Sequence, residues 1–201
     1  MMNFGLRRIS GPAVEPVTVD EVKLHAHIDH AVEDTLIEAW IKTARELAEN
    51  YQKRAYYTQV WEMIFDGFPT LPLLIPRPPL ISIDSLKYYD YEDTETDYDL
   101  TNLIIDSDSQ PGRICHVYGV TWPAETLREM NAVKIQFTAG YGNAGTTTTD
   151  APDFVVQEIP QSVKDAIILY CTFRNENRAA ENDDIPKSFY NLLDPERIFT
   201  P

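Results

Sequence analysis

Four histidines, two cysteines and thirty-two carboxylates are the side chains of this 201-residue sequence that could hold a metal or serve a reaction. His25, His27, Asp29 and His30 form the densest group of metal-ligand types, the set a small metal-dependent hydrolase would use. Residues two apart on a helix point away from each other, however, and no cysteine or further histidine stands nearby to complete a tetrahedral set. The group reads as a solvated corner between two helices, with the hydrolase kept as an alternative. Asp90, Glu92, Asp93, Glu95, Asp97 and Asp99 raise calcium, which takes oxygen ligands, but an EF-hand loop needs glycine at its sixth position and glutamate at its twelfth. Neither register, from Asp90 or from Asp93, supplies both, and Asp106 meets Pro111 at the sixth position. A solvated hairpin face is the expectation. Gly140, Gly142 and Gly145 spell G-x-G-x-x-G after a strand, yet a phosphate cradle must open a helix within a βαβ unit, and here threonines 146–149 and Pro152 follow. That stretch reads as a glycine-rich turn. The sequence has no G-x-S-x-G, no H-E-x-x-H and no cysteine with a recognisable histidine partner. With so many acids, coincidental carboxylate pairs carry no information about glycoside hydrolysis. No catalytic, cofactor or metal residue is assigned, and the expectation is a protein that is not an enzyme.

Composition narrows the partners. Seventeen basic against thirty-two acidic residues give a net charge of −15, which repels nucleic acid and anionic lipid at long range. A partner met through the bulk surface is therefore expected to be protein. At 43% hydrophobic the chain can bury roughly 70% of the surface its unfolded form exposes, enough for one domain over residues 1–201. It shows no leader pattern and no run approaching eighteen apolar residues, so the reading is soluble and cytosolic with Cys115 and Cys171 reduced.

The elements that would position these residues follow from periodicity. Residues 1–15 have no sustained period and read as an extended arm that orders only against something else. Thr18 with Glu21 three residues on is a capping-box signature for a helix over 18–27. From His30 to Gln52, Leu36, Trp40, Ala44, Leu47, Ala48 and Tyr51 repeat at three and four as the buried stripe, and Ile37 and Ile41 widen it. The helical pair thus occupies 16–57.

A β-rich insertion follows over 58–142. After Tyr57 the period becomes two, through Gln59, Trp61, Met63 and Phe65. Pro69, Pro72, Pro76, Pro78 and Pro79 mark an edge or crossing where central pairing cannot run on. Strands are expected over 81–88 with an irregularity near Asp84 and Ser85, then over 98–100, 103–106 and 113–117, and a last one at Val133, Ile135 and Phe137. A loop over 143–158 leads to a helix whose first turn holds Pro160, with Val163, Ala166, Ile167, Tyr170 and Cys171 as its apolar stripe. A short helix over 188–193 closes the last segment, 159–201. The fold class is α+β: an N-terminal helical pair and a C-terminal helix packed together, with an antiparallel β-rich insertion between them.

This order resembles the head–tail connector (neck adaptor, head-completion) proteins of long-tailed bacteriophages and gene transfer agents. The resemblance is carried by Pro16-Val17-Thr18-Val19-Asp20-Glu21-Val22-Lys23, by Glu33-Asp34-Thr35-Leu36-Ile37, and by Pro76-Arg77-Pro78-Pro79-Leu80. Thr58-Gln59, Phe68-Pro69, Trp122-Pro123, Phe137-Thr138-Ala139-Gly140-Tyr141-Gly142, Ile159-Pro160, Lys164, Ala166-Ile167 and Leu192-Leu193 complete it, so that it runs over 14–197. It implies a structural virion protein located at the head–tail interface and made in the host cytoplasm. Such proteins form a homo-oligomeric ring, commonly a dodecamer, between the portal protein and the next neck or tail protein. DNA passes transiently through the bore; neither cofactor nor membrane is involved. A tail-completion or stopper protein of the neck is the nearest alternative. In such a ring Asp90, Glu92, Asp93, Glu95, Asp97 and Asp99 are candidate lumen or interface acids, because like charge keeps phosphates from adhering. The hairpin region varies within the family and the 143–158 loop is longer than expected, so loop contacts are not carried over.

Overall fold

The structure is a computed structural model that describes residues 4–142, 158–178 and 185–199. The 143–158 loop, with Gly145 and the threonine run, lies outside them except for Glu158.

Residues expected to form a free arm instead contribute β1, Gly5–Ser10, which pairs antiparallel with β2, Gln59–Phe65. Arg7 donates to Glu62 on that strand at 2.7 Å and the Phe4 ring meets Phe65 at 5.6 Å, so the segment orders against its own sheet. Between them in sequence come α1, Val19–Ala26, and α2, Asp34–Gln52. The capping box forms as expected. Glu21 N–H donates to the Thr18 hydroxyl and Thr18 N–H to the Glu21 carboxylate, satisfying two donors the helix cannot. His27 adopts the left-handed conformation and ends α1; the chain then turns through 28–33, and α2 starts at Asp34 rather than His30.

The buried row of α2 also differs from the expectation. Ile37, Ile41, Ala44 and Ala48 are its deep apolar residues, whereas Leu36 is 42% exposed and Trp40, Leu47 and Tyr51 are half-buried. The reason is polar. Arg45, Glu49 and Gln52 continue the deep row, which faces groups brought up from the sheet, and the helix rotates to put them inside.

After β2 come β3, Leu73–Leu74, the long β4, Leu80–Tyr89, β5, Glu95–Asp97, β6, Leu103–Asp106, β7, Arg113–His116, and β8, Val133–Ala139. They form two antiparallel sheets, β1-β2-β8-β4-β5 and β3-β7-β6. The last strand, β8, lies between β2 and β4, with Phe137 opposite both Trp61 and Ile83, and Ile135 opposite Met63 and Leu86. The expected irregularity in β4 is a register shift between Ile83 and Ser85. The strand expected over 98–100 is displaced to Glu95–Asp97, because Asp99 accepts from Thr101 N–H and opens a 3₁₀ turn, Leu100–Asn102.

The chain returns to helix in α3, Gln161–Glu176, and α4, Lys187–Leu193. Val22, Ile37, Ile41, Val163, Ile167, Phe189 and Leu193 join all four helices in one apolar cluster, while Met63, Phe65, Leu86, Ile114, Ile135 and Phe137 form a second in the sheets. This is an α+β fold. Cys115 and Cys171 are free thiols, and burial pushes the Cys171 thiol up to about 12. No helix among the described residues is long and apolar enough to cross a membrane.

Gly140 closes the sheet where the layers meet. Its φ is +134°, its N–H donates to the Pro79 carbonyl at 2.8 Å, and a Cβ there would stand 2.3 Å from the Tyr57 carbonyl oxygen. Only glycine permits that approach. Gly140→Ala is expected to cost about 2–4 kcal/mol of stability, read from denaturant unfolding. Gly11→Ala, where a Cβ meets open space, is expected to change stability by less than about 0.5 kcal/mol.

Candidate assembly interface

The largest concentration of buried polar side chains lies where the C-terminal turns of α2 meet the sheet. Arg45 is 1% exposed and donates through Nε to Glu15 at 2.6 Å and through Nη1 to Glu49 at 2.8 Å. The other Glu49 oxygen accepts from Tyr56 N–H at 3.0 Å and from Gln59 Nε2 at 2.5 Å. Gln52 accepts from the Tyr56 hydroxyl at 2.7 Å and donates to the Leu193 carbonyl at 2.6 Å. Arg54 donates to the Glu196 carbonyl at 2.6 Å and to Gln110 at 2.7 Å, and Arg77 donates to the Glu49 carbonyl at 2.9 Å.

Burial pushes the Glu49 carboxyl up, while Tyr56 N–H and the Arg45 charge pull it back. Burial also works against the Arg45 charge, but Glu15 and Glu49 outweigh it and raise its pKa. Burial, with Glu49 beside it, raises the Tyr56 phenol far above its ordinary range. This arrangement ties chain segments together. The sequence reading missed it; the signal available was Arg45 and Glu49, four apart on an otherwise apolar stripe.

The residues singled out from sequence are mostly dispersed. His25, His27, Asp29 and His30 are all exposed; His25 Nδ1 lies 3.0 Å from the Thr172 hydroxyl, and His27 serves as the left-handed end of α1. His116 is on β7, edge-on to Trp122 at 4.4 Å, and burial lowers its pKa. Among the described residues no three His, Cys, Asp or Glu side chains are grouped to hold a metal ion. Gly140 and Gly142 have positive φ in the turn after β8.

The six acids do share one place, the β4–β5 hairpin and its continuation at an outer edge of the larger sheet. Each has local work. Asp90 accepts from Glu92 N–H and Thr94 N–H, both at 2.9 Å, and closes the hairpin turn. Asp93, with a positive φ, pairs with Arg128 at 3.0 Å. Glu95 pairs with Lys87 at 2.5 Å and accepts from the Tyr89 hydroxyl; Asp97 lies 3.7 Å from the same lysine. Glu92 accepts from the Tyr91 hydroxyl at 2.9 Å, and Asp99 caps the 3₁₀ turn. The result is a negatively charged edge rather than a cation cage.

At the opposite edge, β1, the end of α2 and the proline segment enclose a cavity of about 750 Å³ walled by Leu6, Phe65, Leu74 and Pro111, with Lys53 and Arg77 on its lining. Arg77 is fixed by Asn50 at 2.8 Å and lies 5.0 Å from the Trp61 ring centre.

Residues 16–110 match the family model described as phage gp6-like head–tail connector protein. Three solved structures share the fold. A chain in the neck of an empty gene transfer agent particle, computed with C6 symmetry, is 17% identical with a TM-score of 0.74, over 98% of this chain and 97% of that one. A chain of the virion of a native gene transfer agent particle is 16% identical with a TM-score of 0.74, over 98% and 96%. A chain from the neck of a native particle, computed with C12 symmetry, is 17% identical with a TM-score of 0.68, over 97% of each. No curated protein matches the sequence.

Two outcomes follow from the polar groups. Arg45→Met leaves the buried Glu49 carboxylate without its cation, and Glu49→Leu leaves buried Arg45 with Glu15 as its remaining close carboxylate; the first is expected to cost about 3–5 kcal/mol of unfolding free energy and the second less. The double variant is expected to cost clearly less than the sum of the two, the signature of a coupled pair in a double-mutant cycle. Asp106 is held at about 2 by the Ser109 hydroxyl, Arg113 and Ser109 N–H. A depressed carboxyl contributes stability above its ordinary 3.8 and loses it as pH falls through about 2. Carboxyl NMR titration is expected to find the Asp106 midpoint near 2, and Ser109→Ala to raise it.

Proposed function

We propose that this chain, whose residues 16–110 match the model of the phage gp6-like head–tail connector family, is a member of that family and a structural head–tail adaptor of a virion neck. The observation that carries the reading is the agreement of two independent likenesses. The family match covers the helical pair and the first part of the β-rich insertion, and the whole described fold, α3 and α4 included, superposes on chains of gene transfer agent necks and virions.

In this reading the chain is one domain that acts as a repeating part of a ring, with the portal on one side and the next neck or tail protein on the other. It carries no catalysis. The necks in which two of the similar chains occur were computed with C6 and with C12 symmetry, which supports a dodecameric ring here. A net charge of −15 on each copy gives such a ring a strongly negative field, so DNA in the bore meets walls its phosphates do not stick to. The acids of the β4–β5 hairpin add to that field where they face the bore, or serve contact between copies where they face a neighbour.

The test is genetic and structural together. Particles made without the chain are expected to accumulate as DNA-filled heads lacking tails, and purified chain added back is expected to restore tail joining. Normal tailed particles in its absence would overturn the reading.

A further inference from the structure

We propose that the groove beside β1 receives the β4–β5 hairpin tip of a second copy of this chain, with Tyr91 as the anchor. The proposal rests on the ring reading above and says which two surfaces meet.

The groove has the chemistry of a socket for an acidic aromatic finger. It is a cavity of about 750 Å³ with apolar walls, and the charged residues on its lining, Lys53 and Arg77, are both cations. An acid-free lining stands out in a chain with thirty-two acidic residues against seventeen basic ones. The Arg77 guanidinium is fixed in place by the Glu49 carbonyl and Asn50. The Lys53 ammonium is exposed and has no carboxylate partner among the described residues, so it remains available to an incoming acid. Such a surface favours an apolar group flanked by carboxylates, because the walls gain contact while the charges find partners.

The hairpin tip presents that combination. Tyr91 is 69% exposed and lies between Asp90 and Glu92, with Asp93 next, in a stretch that has no lysine or arginine from 90 to 108. An exposed tyrosine in a turn closed by its own hydrogen bonds is a preorganised anchor, since little freedom is lost when it docks.

Topology makes the contact intermolecular and directional. β1 and the β4–β5 hairpin lie at opposite edges of the five-stranded sheet, separated by three strands and thus by roughly 19 Å. A copy therefore cannot fill its own groove. Two different, complementary patches on opposite sides of one subunit make a head-to-tail interface, which closes into a ring when the rotation per copy permits.

Carbodiimide coupling, which joins a lysine amine to a carboxylate in contact, tests this on the full chain. An equal mixture of ¹⁴N and ¹⁵N protein is coupled alone and in the presence of portal rings, and the products are digested and sequenced by mass spectrometry. The expected result is a mixed-isotope peptide linking Lys53 to Glu92 or Asp93. Lys53→Arg is expected to remove that link while oligomers persist in sedimentation, and Tyr91→Ser to lower its yield by about tenfold or more. Oligomers whose links involve neither Lys53 nor the hairpin, or an unchanged yield in Tyr91→Ser, would overturn the contact and leave the ring reading standing. A chain that stays monomeric and unlinked, both alone and with portal rings, would overturn the contact and the ring together.

Discussion

A charge pair buried between two layers constrains this molecule more than any single apolar contact. Arg45 and Glu49 lie inside, four residues apart on α2, and each is costly to desolvate unless every remaining polar atom finds a partner. The partners come from distant parts of the chain: Glu15 from before α1, Tyr56 and Gln59 from the entry to β2. Neighbouring Gln52, Arg54 and the Glu49 carbonyl then fix Leu193, Glu196, Gln110 and Arg77. Sheet and helices each have an apolar cluster of their own, and this polar seam sets the geometry between them. Breaking it would leave two layers that are each packed but not fixed to one another.

That rigidity bears on function. In the proposed ring the bore must hold its shape under load, and subunits whose layers hinge would not define one. The larger sheet offers two unlike edges, one basic and apolar around β1, the other acidic and tipped by Tyr91. With the seam holding the sheet against the helices, those edges stand at a fixed angle, which is what the head-to-tail assembly proposed above requires. In that proposal the acids that look like a candidate ion site in sequence form one pole of this polarity.

Much of the fold was legible from periodicity and punctuation. Thr18 and Glu21 marked the start of α1, the alternation from Gln59 to Phe65 marked β2, and the irregularity near Asp84 and Ser85 proved to be a register shift. The failures have physical causes. β1 has six exposed residues and no hydrophobic alternation, so only its pairing partner identifies it as a strand. The deep row of α2 was assigned to Leu36 and Trp40 because they are larger and more apolar than the Arg45 and Glu49 that displaced them, and pattern reading places charge outside. Likewise, the acids 90–99 could be located on a hairpin, but the groove at the opposite edge combines residues from four separate segments. No local window contains it.

Everything proposed for this chain depends on its being a rigid ring subunit. Cryo-electron microscopy of the chain bound to its portal addresses that directly. The predicted result is a closed ring of copies below the portal, each fitted by the described residues as a single body with the α2–sheet seam intact. A lone copy plugging the channel, or a ring in which the helices and the five-stranded sheet must be fitted separately, would contradict it.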